Sequence, residues 1–173
     1  MPEQVRKSML DSSVEPIIAD NNPTDPVDSA NPQQRIAELE RTIRELRDKE
    51  ALFQLVLDAI PGRVFWKDKD LRFLGANHNF ALDAQVEHPD QLIGKDDTQM
   101  VWSDVAELYR SDDRRVIESN RSKLNFEEPQ ITPDGEMWVL TSKVPLRDAN
   151  GNVIGVLGHY DDITDRKHLE DER

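Results

Sequence analysis

The chain contains no cysteine, so a disulfide framework, a thiolate metal site and a cysteine nucleophile are all excluded. No stretch approaches the roughly 20 apolar residues that a spanning helix needs, and the N-terminus lacks the apolar segment of a signal peptide. Positive charge is scarce as well. Lys and Arg number 22 against 35 Asp and Glu, a formal net charge of -13 with a sequence pI near 4.7. No basic stripe offsets this, so neither a nucleic-acid backbone nor an anionic membrane surface is expected as a direct partner. Catalytic motifs are missing too: nothing resembles a nucleophile elbow, a phosphate loop or a His-Glu metal motif. No catalytic residue and no metal ligand is expected, and the adjacent acids Asp96-Asp97 and Asp161-Asp162 read as solvated loop residues. These absences describe a soluble, cytoplasmic chain that is not an enzyme.

What is present fits one domain with appendages, at 173 residues. Residues 1–30 mix Pro16, Pro23 and Pro26 with Asp, Asn and Ser and show no sustained hydrophobic period, the pattern of a disordered acidic leader. A helix is expected over 31–60. Asn31 can cap it, Pro32 suits its first position, and Gln34 can reach back to the cap. Apolar residues then recur at Ile36, Leu39, Ile43 and Leu46, and again at Phe53, Leu57 and Ile60, which is the spacing of one seam. Phe53, Leu57 and Ile60 are expected to pack on the adjoining domain. Ile36, Leu39, Ile43 and Leu46 are expected to dimerise as a parallel coiled coil, which makes a second copy of the chain the partner.

Pro61-Gly62 ends that helix, and Arg63–Lys67 with Leu71–Ala76 reads as a hairpin. A short helix over 78–85 and a single turn over 89–92 follow. A longer helix is expected from Ser103, its cap, to Asn120, with Val105, Leu108, Tyr109, Val116 and Ile117 as its apolar stripe. Asp112 falls within that stripe, as a structural hydrogen-bonding residue or a ligand contact. A third strand over Lys123–Thr132 turns at Pro133-Asp134-Gly135 into a fourth. There Trp138, Leu140, Ser142 and Val144 alternate with Met137, Val139, Thr141 and Lys143, the period-two signal of a sheet with one covered face. Asn150-Gly151 leads through a tight hairpin turn into the fifth strand, Val153–Tyr160. Thr164 is expected to cap a helix that leaves the domain over 165–173. The order predicts an α+β fold: a five-stranded antiparallel sheet with helices over one face.

Several short runs carry a family resemblance. They are Val64-Phe65-Trp66-Lys67-Asp68, Gly75-Ala76-Asn77 with Phe80, Ile93-Gly94-Lys95, Pro133-Asp134-Gly135, and Asp162-Ile163-Thr164-Asp165-Arg166-Lys167. In this order, spanning roughly residues 52–167, they resemble PAS sensor domains of bacterial signalling proteins. The resemblance implies a PAS core over 61–164 that holds a small molecule between sheet and helices, or holds none. Asn77, Phe80, Tyr109, Trp138 and Thr141 or Ser142 are the candidate lining, the strand register being open between the last two. Asp162, Ile163 and Thr164 are the candidate signal relay to an effector downstream of Arg173, of the histidine kinase (two-component) or diguanylate cyclase kind. The flavin-adduct photochemistry of this family needs a cysteine and is excluded. Non-covalent flavin has possible stacking faces in Trp66, Trp102 and Trp138, which otherwise read as core. Haem has only His78, His88, His159 and His168 to draw on, and such histidines are more often surface residues. The cofactor therefore stays unassigned, and a ligand-free dimerisation or docking scaffold is the alternative function.

Overall fold

The computed structural model describes residues 31–132 and 134–172. The expected leader over 1–30, Pro133 of the expected turn, and Arg173 lie outside the described residues. The chain divides into two units between Thr42 and Ile43, inside helix α1 (Pro32–Asp58). At the head of α1 the Asn31 side chain accepts from Gln33 N at 3.1 Å, as its capping role requires. Ile36 and Leu39 in the first unit, and Ile43 and Leu46 in the second, are all exposed. Further along, Leu57 is buried while Phe53 stays 56% exposed, its ring edge-on to Trp66 with centroids 6.1 Å apart. The expectation that Phe53 packs on its own domain therefore holds only at its contact with Trp66. The two rings meet at 67°, and most of the Phe53 ring stays in solvent, as do Leu52, Leu55 and Val56 of the same helix.

The second unit is built on one antiparallel sheet in the order β2-β1-β5-β4-β3. Its strands are β1 (Arg63–Asp68), β2 (Phe73–Ala76), β3 (Lys123–Thr132), β4 (Gly135–Arg147) and β5 (Val153–Asp162). Between β2 and β3 come α2 (His78–Asp83), 3-10 turns at Pro89–Leu92, Asp97–Gln99 and Ser103–Val105, and α3 (Ala106–Ser119). Helix α4 (Thr164–Asp171) follows β5. The α+β architecture expected from the sequence is present. Large rings next to small residues allow the strands to approach. Phe65 pairs with Gly158, and a Cβ there would meet the Phe65 ring at 2.2 Å; Trp66 lies over its partner Gly75 in the same way.

Three local expectations change. Ser103 does not cap the long helix; a 3-10 turn intervenes, and neither Trp102 nor Val105, the residues before the turn and before α3, caps through its side chain. Leu108 is 64% exposed rather than part of the stripe, because the buried line of α3 runs through Ala106, Asp113 and Val116. The β4–β5 connection is a wider loop than a two-residue hairpin. Asp148 Oδ1 accepts from Asn150 N and Asn152 N, both at 2.9 Å, and Gly151 takes φ +83.

Asn77, with no exposed surface, ties the helical region to the sheet. Its Oδ1 accepts from Val64 N at 3.0 Å and from Phe80 N at 3.1 Å, which caps α2. Its Nδ2 donates to Gly62 O at 2.9 Å and Leu57 O at 3.3 Å. Asn77→Ala strands these backbone groups in the interior, so a loss of about 2–4 kcal/mol is expected in urea unfolding. A loss below about 0.5 kcal/mol would mean that these bonds do not hold the junction.

Candidate functional site

The covered face of the sheet carries an ion-pair network where an apolar core would be the default. Strand alternation points Lys67 of β1 and Lys143 of β4 inward, beneath α3. Asp113 of α3, with no exposed side-chain surface, stands between them. Lys67 Nζ lies 2.6 Å from Asp113 Oδ2 and 2.7 Å from Asp97 Oδ2, while Lys143 Nζ lies 2.7 Å from Asp113 Oδ1 and 3.2 Å from Asp112 Oδ2. The Lys143–Asp113 approach is a charge contact outside hydrogen-bond alignment. Lys123 closes the outer end on Asp112 at 3.0 Å. Trp102 Nε1 donates to Asp97 Oδ1 at 3.0 Å, and the Lys67 ammonium also sits 4.8 Å from the Phe73 ring centroid. Each buried charge thus has an opposite charge within contact distance, which burial demands.

Beside the network lies an aromatic cluster centred on Phe80. Its ring centroid is 4.8 Å from that of Phe65, 5.5 Å from Phe73, 5.7 Å from Trp102 and 6.2 Å from Tyr160. Between cluster and network is a cavity of about 40 Å³, counted as space open to the centre of a water molecule, enough for a few waters or a ligand of a handful of heavy atoms. Phe65, Lys67, Phe80, Asp97, Trp102, Tyr109, Glu128, Gln130, Val139, Thr141, Lys143 and Tyr160 line it. Thr141 Oγ1 donates to Glu128 Oε1 at 2.9 Å, and Tyr160 donates to Asp83 at 2.7 Å. Burial, reinforced by the Glu128 charge, holds the Tyr109 hydroxyl protonated beyond its ordinary range.

The expected lining residues separate cleanly. Phe80, Tyr109 and Thr141 face the cavity. Asn77 does not line it, because its amide is taken up by the backbone bonds described above. Trp138 and Ser142 do not line it either, since β4 turns its odd-numbered residues inward and its even-numbered ones to the other face. There Trp138 lies under the Lys167 ammonium, 5.3 Å from its ring centroid, and Ser142 accepts from Asn125 N at 3.0 Å. Lys67, Asp113, Glu128 and Lys143 were not anticipated, and Asp97, expected to be a solvated loop acid, is instead buried, its carboxylate taken by Lys67 and the Trp102 indole. Placing Lys143 in the same alternating set as Val139, and Asp113 seven residues after Ala106, was the available signal.

The relay residues sit at the exit. Thr164 begins α4 rather than capping it; Asp162 Oδ1 accepts from Thr164 N at 2.9 Å, while Thr164 Oγ1 accepts from Trp138 N of β4 at 3.0 Å. Ile163 N donates to Trp138 O at 2.8 Å. Glu127 of β3 pairs with both Arg166 and Lys167 of α4, and this holds its carboxyl below the ordinary range, through Lys167 first. An open groove lined by Asp162 and Thr164 shares Trp102 and Gln130 with the cavity wall. Among the described residues no group of acids and histidines is arranged to hold a metal, and no helix is long and apolar enough to cross a membrane.

One antiparallel sheet, helices on one face and a lined cavity between them define a sensor-type α+β domain. The chain belongs to the PAS fold family, whose profile matches residues 57–168, and it carries a PAS sensor domain of this non-catalytic fold. It is similar to the Aerobic respiration control sensor protein ArcB of Escherichia coli (strain K12), at 32% identity over 124 residues. That match takes in 66% of this chain and 15% of the relative, so the chain spans a small part of the length of the curated relatives it matches. Among solved structures, the Vibrio cholerae VqmA dimer, described as a LuxR-type receptor with a target DNA, matches at TM-score 0.59 and 26% identity over 69% of this chain and 52% of that one. A second VqmA structure, bound to DPO, matches at TM-score 0.58 and 27% identity over 64% and 57%. The PAS domain of Bordetella pertussis BvgS matches at TM-score 0.53 and 21% identity over 75% and 96%, which shows the fold.

The network gives stability a definite pH dependence. Burial disfavours the Asp112 charge, but Lys143 and Lys123 outweigh it and bring the carboxyl below its ordinary 3.8. Burial likewise disfavours the Lys143 charge, and Asp113 with Asp112 outweighs it to raise the ammonium above 10.5. The Asp112 contribution is complete above 3.8 and lost as pH falls through the lowered value. The Lys143 contribution is complete below 10.5 and lost as pH climbs through the raised one. The urea midpoint of Asp112→Asn is expected to fall less than that of the wild type on acidification; identical acid limbs would contradict the pairing.

Proposed function

We propose that this chain is the sensory module of a cytoplasmic signalling protein: a small ligand in the cavity is read out through α4 by an effector, within a homodimer formed along α1. The observation that carries this reading is the adjacency of Glu127 and Glu128 on β3. Alternation turns Glu128 to the cavity and to Thr141, and Glu127 to Arg166 and Lys167 of α4. A ligand that shifts β3 at Glu128 shifts the anchor of the exit helix at its neighbour. On β4, Val139 lines the cavity while its neighbour Trp138 holds Ile163 and Thr164. Asp162, Ile163 and Thr164 form the relay in this reading. The ligand-bound VqmA and the ArcB sensor protein are relatives of the kind the reading requires.

Dimerisation is read from Ile36, Leu39, Ile43 and Leu46, four exposed apolar side chains at seam spacing on one helix. A charge placed in such a seam is desolvated without a partner. The double variant Leu39→Asp, Leu46→Asp is expected to sediment as a monomer where the wild type sediments as a dimer. A wild-type monomer, or an unchanged tight dimer in the variant, contradicts this part of the reading.

The alternative, a ligand-free dimerisation or docking scaffold, draws support from the small volume of the cavity. A thermal-shift screen of small metabolites separates the two, because a ligand that binds only the folded state raises the melting temperature with concentration. For the relay, Thr164→Ala removes the acceptor for Trp138 N–H. Amide exchange across α4 is expected to accelerate several-fold while the urea midpoint changes little. Equal loss in both would mean that Thr164 supports the core rather than the exit.

A further inference from the structure

We infer that the cavity is built for a small planar ligand of a few heavy atoms that presents a cationic or another strong N–H donor to Glu128. This rests on the cavity being a ligand site, as proposed above, and names the chemistry of its occupant. The inference follows from which polar groups are already satisfied. Lys67 is held by Asp97 and Asp113, and Lys143 by Asp113 and Asp112, with Lys123 closing on Asp112. Those three lysines balance the three aspartates, so the network as a whole offers a ligand no net charge. Three of the other cavity-facing donors are engaged too, Trp102 Nε1 with Asp97, Thr141 with Glu128 and Tyr160 with Asp83, and the remaining polar lining groups, the Tyr109 hydroxyl and the Gln130 amide, carry no charge.

Glu128 is the remaining charge of the lining. It lines the cavity, belongs to no ion pair among the described residues, and has a hydroxyl donor at Oε1 alone, which leaves Oε2 as an acceptor. The wall therefore carries one uncompensated negative charge, in a cavity that the rings of Phe80 and Trp102 also line. A cation or N–H donor on a flat apolar body matches both halves, since a charged hydrogen bond and the ring faces each favour it. A carboxylate of the same shape meets Glu128 as a like charge and finds both buried lysines already paired.

The test uses three planar probes of about four heavy atoms each, acetamidinium, acetamide and acetate, added to the full chain at neutral pH. Binding is read from the melting temperature and from the Trp102 indole N–H resonance. Acetamidinium is expected to raise the melting temperature with concentration and to shift Trp102, acetamide to do so more weakly, and acetate to do neither. In Glu128→Gln, which keeps the shape, acetamidinium affinity is expected to fall about tenfold or more. Acetate binding as tightly as acetamidinium, or a Glu128→Gln variant that keeps the preference, overturns the charge assignment and leaves the ligand-site reading standing. No binding by any of the three overturns the assignment, and the metabolite screen decides the ligand-site reading separately.

Discussion

Asp113 is the constraint on which the second unit depends. It occupies the middle of the buried line of α3, where amphipathic helices place an apolar residue, and it has no exposed side-chain surface. A carboxylate there is tolerable only with cations brought to it. Lys67 and Lys143 meet that requirement from two strands that are not neighbours, since β5 lies between β1 and β4. Their inward direction sets how α3 sits over the sheet, and Asp97 and Asp112 complete the arrangement from either side. Exchanging such a network for well-packed apolar residues is often neutral or stabilising, whereas removing one member leaves a bare buried charge. Stability alone therefore does not account for its presence.

The cavity accounts for it better. Ion pairs between long lysines and short aspartates fill space less completely than interlocking aliphatic side chains, and the gap opens where the network meets the Phe80 cluster. Strands β3 and β4 form one wall of that gap, and the same strands hold the start of α4 on their opposite face. Period-two alternation makes this possible without any added device, because consecutive residues report to opposite sides. The fold therefore sets a polar interior and an outgoing helix one residue apart.

Much of this was legible from local signals. Turn residues, strand alternation and the Asp-Ile-Thr exit marked all five strands and the outgoing helix, since each depends on a few neighbouring residues. The face of β4 was not legible. Both of its alternating sets mix apolar and polar residues, and Trp138 drew attention to the set that turns away from the helices. Lys143 and Asp113 were hidden because each reads as surface until its partner is known, and the partners come from elements 30 residues apart in the chain. Asn77 was legible as important and misread in kind: an amide committed to four backbone groups is a junction, not a ligand contact.

The most direct measurement is a double-mutant cycle on Lys143→Met and Asp113→Leu, read as free energies of urea unfolding. If Asp113 organises the covered face through its ion pairs, each single change leaves the buried network with one unbalanced charge, and the double variant recovers part of the loss. The expected coupling is about 2 kcal/mol. Single losses that simply add, with coupling under about 0.3 kcal/mol, would contradict the account.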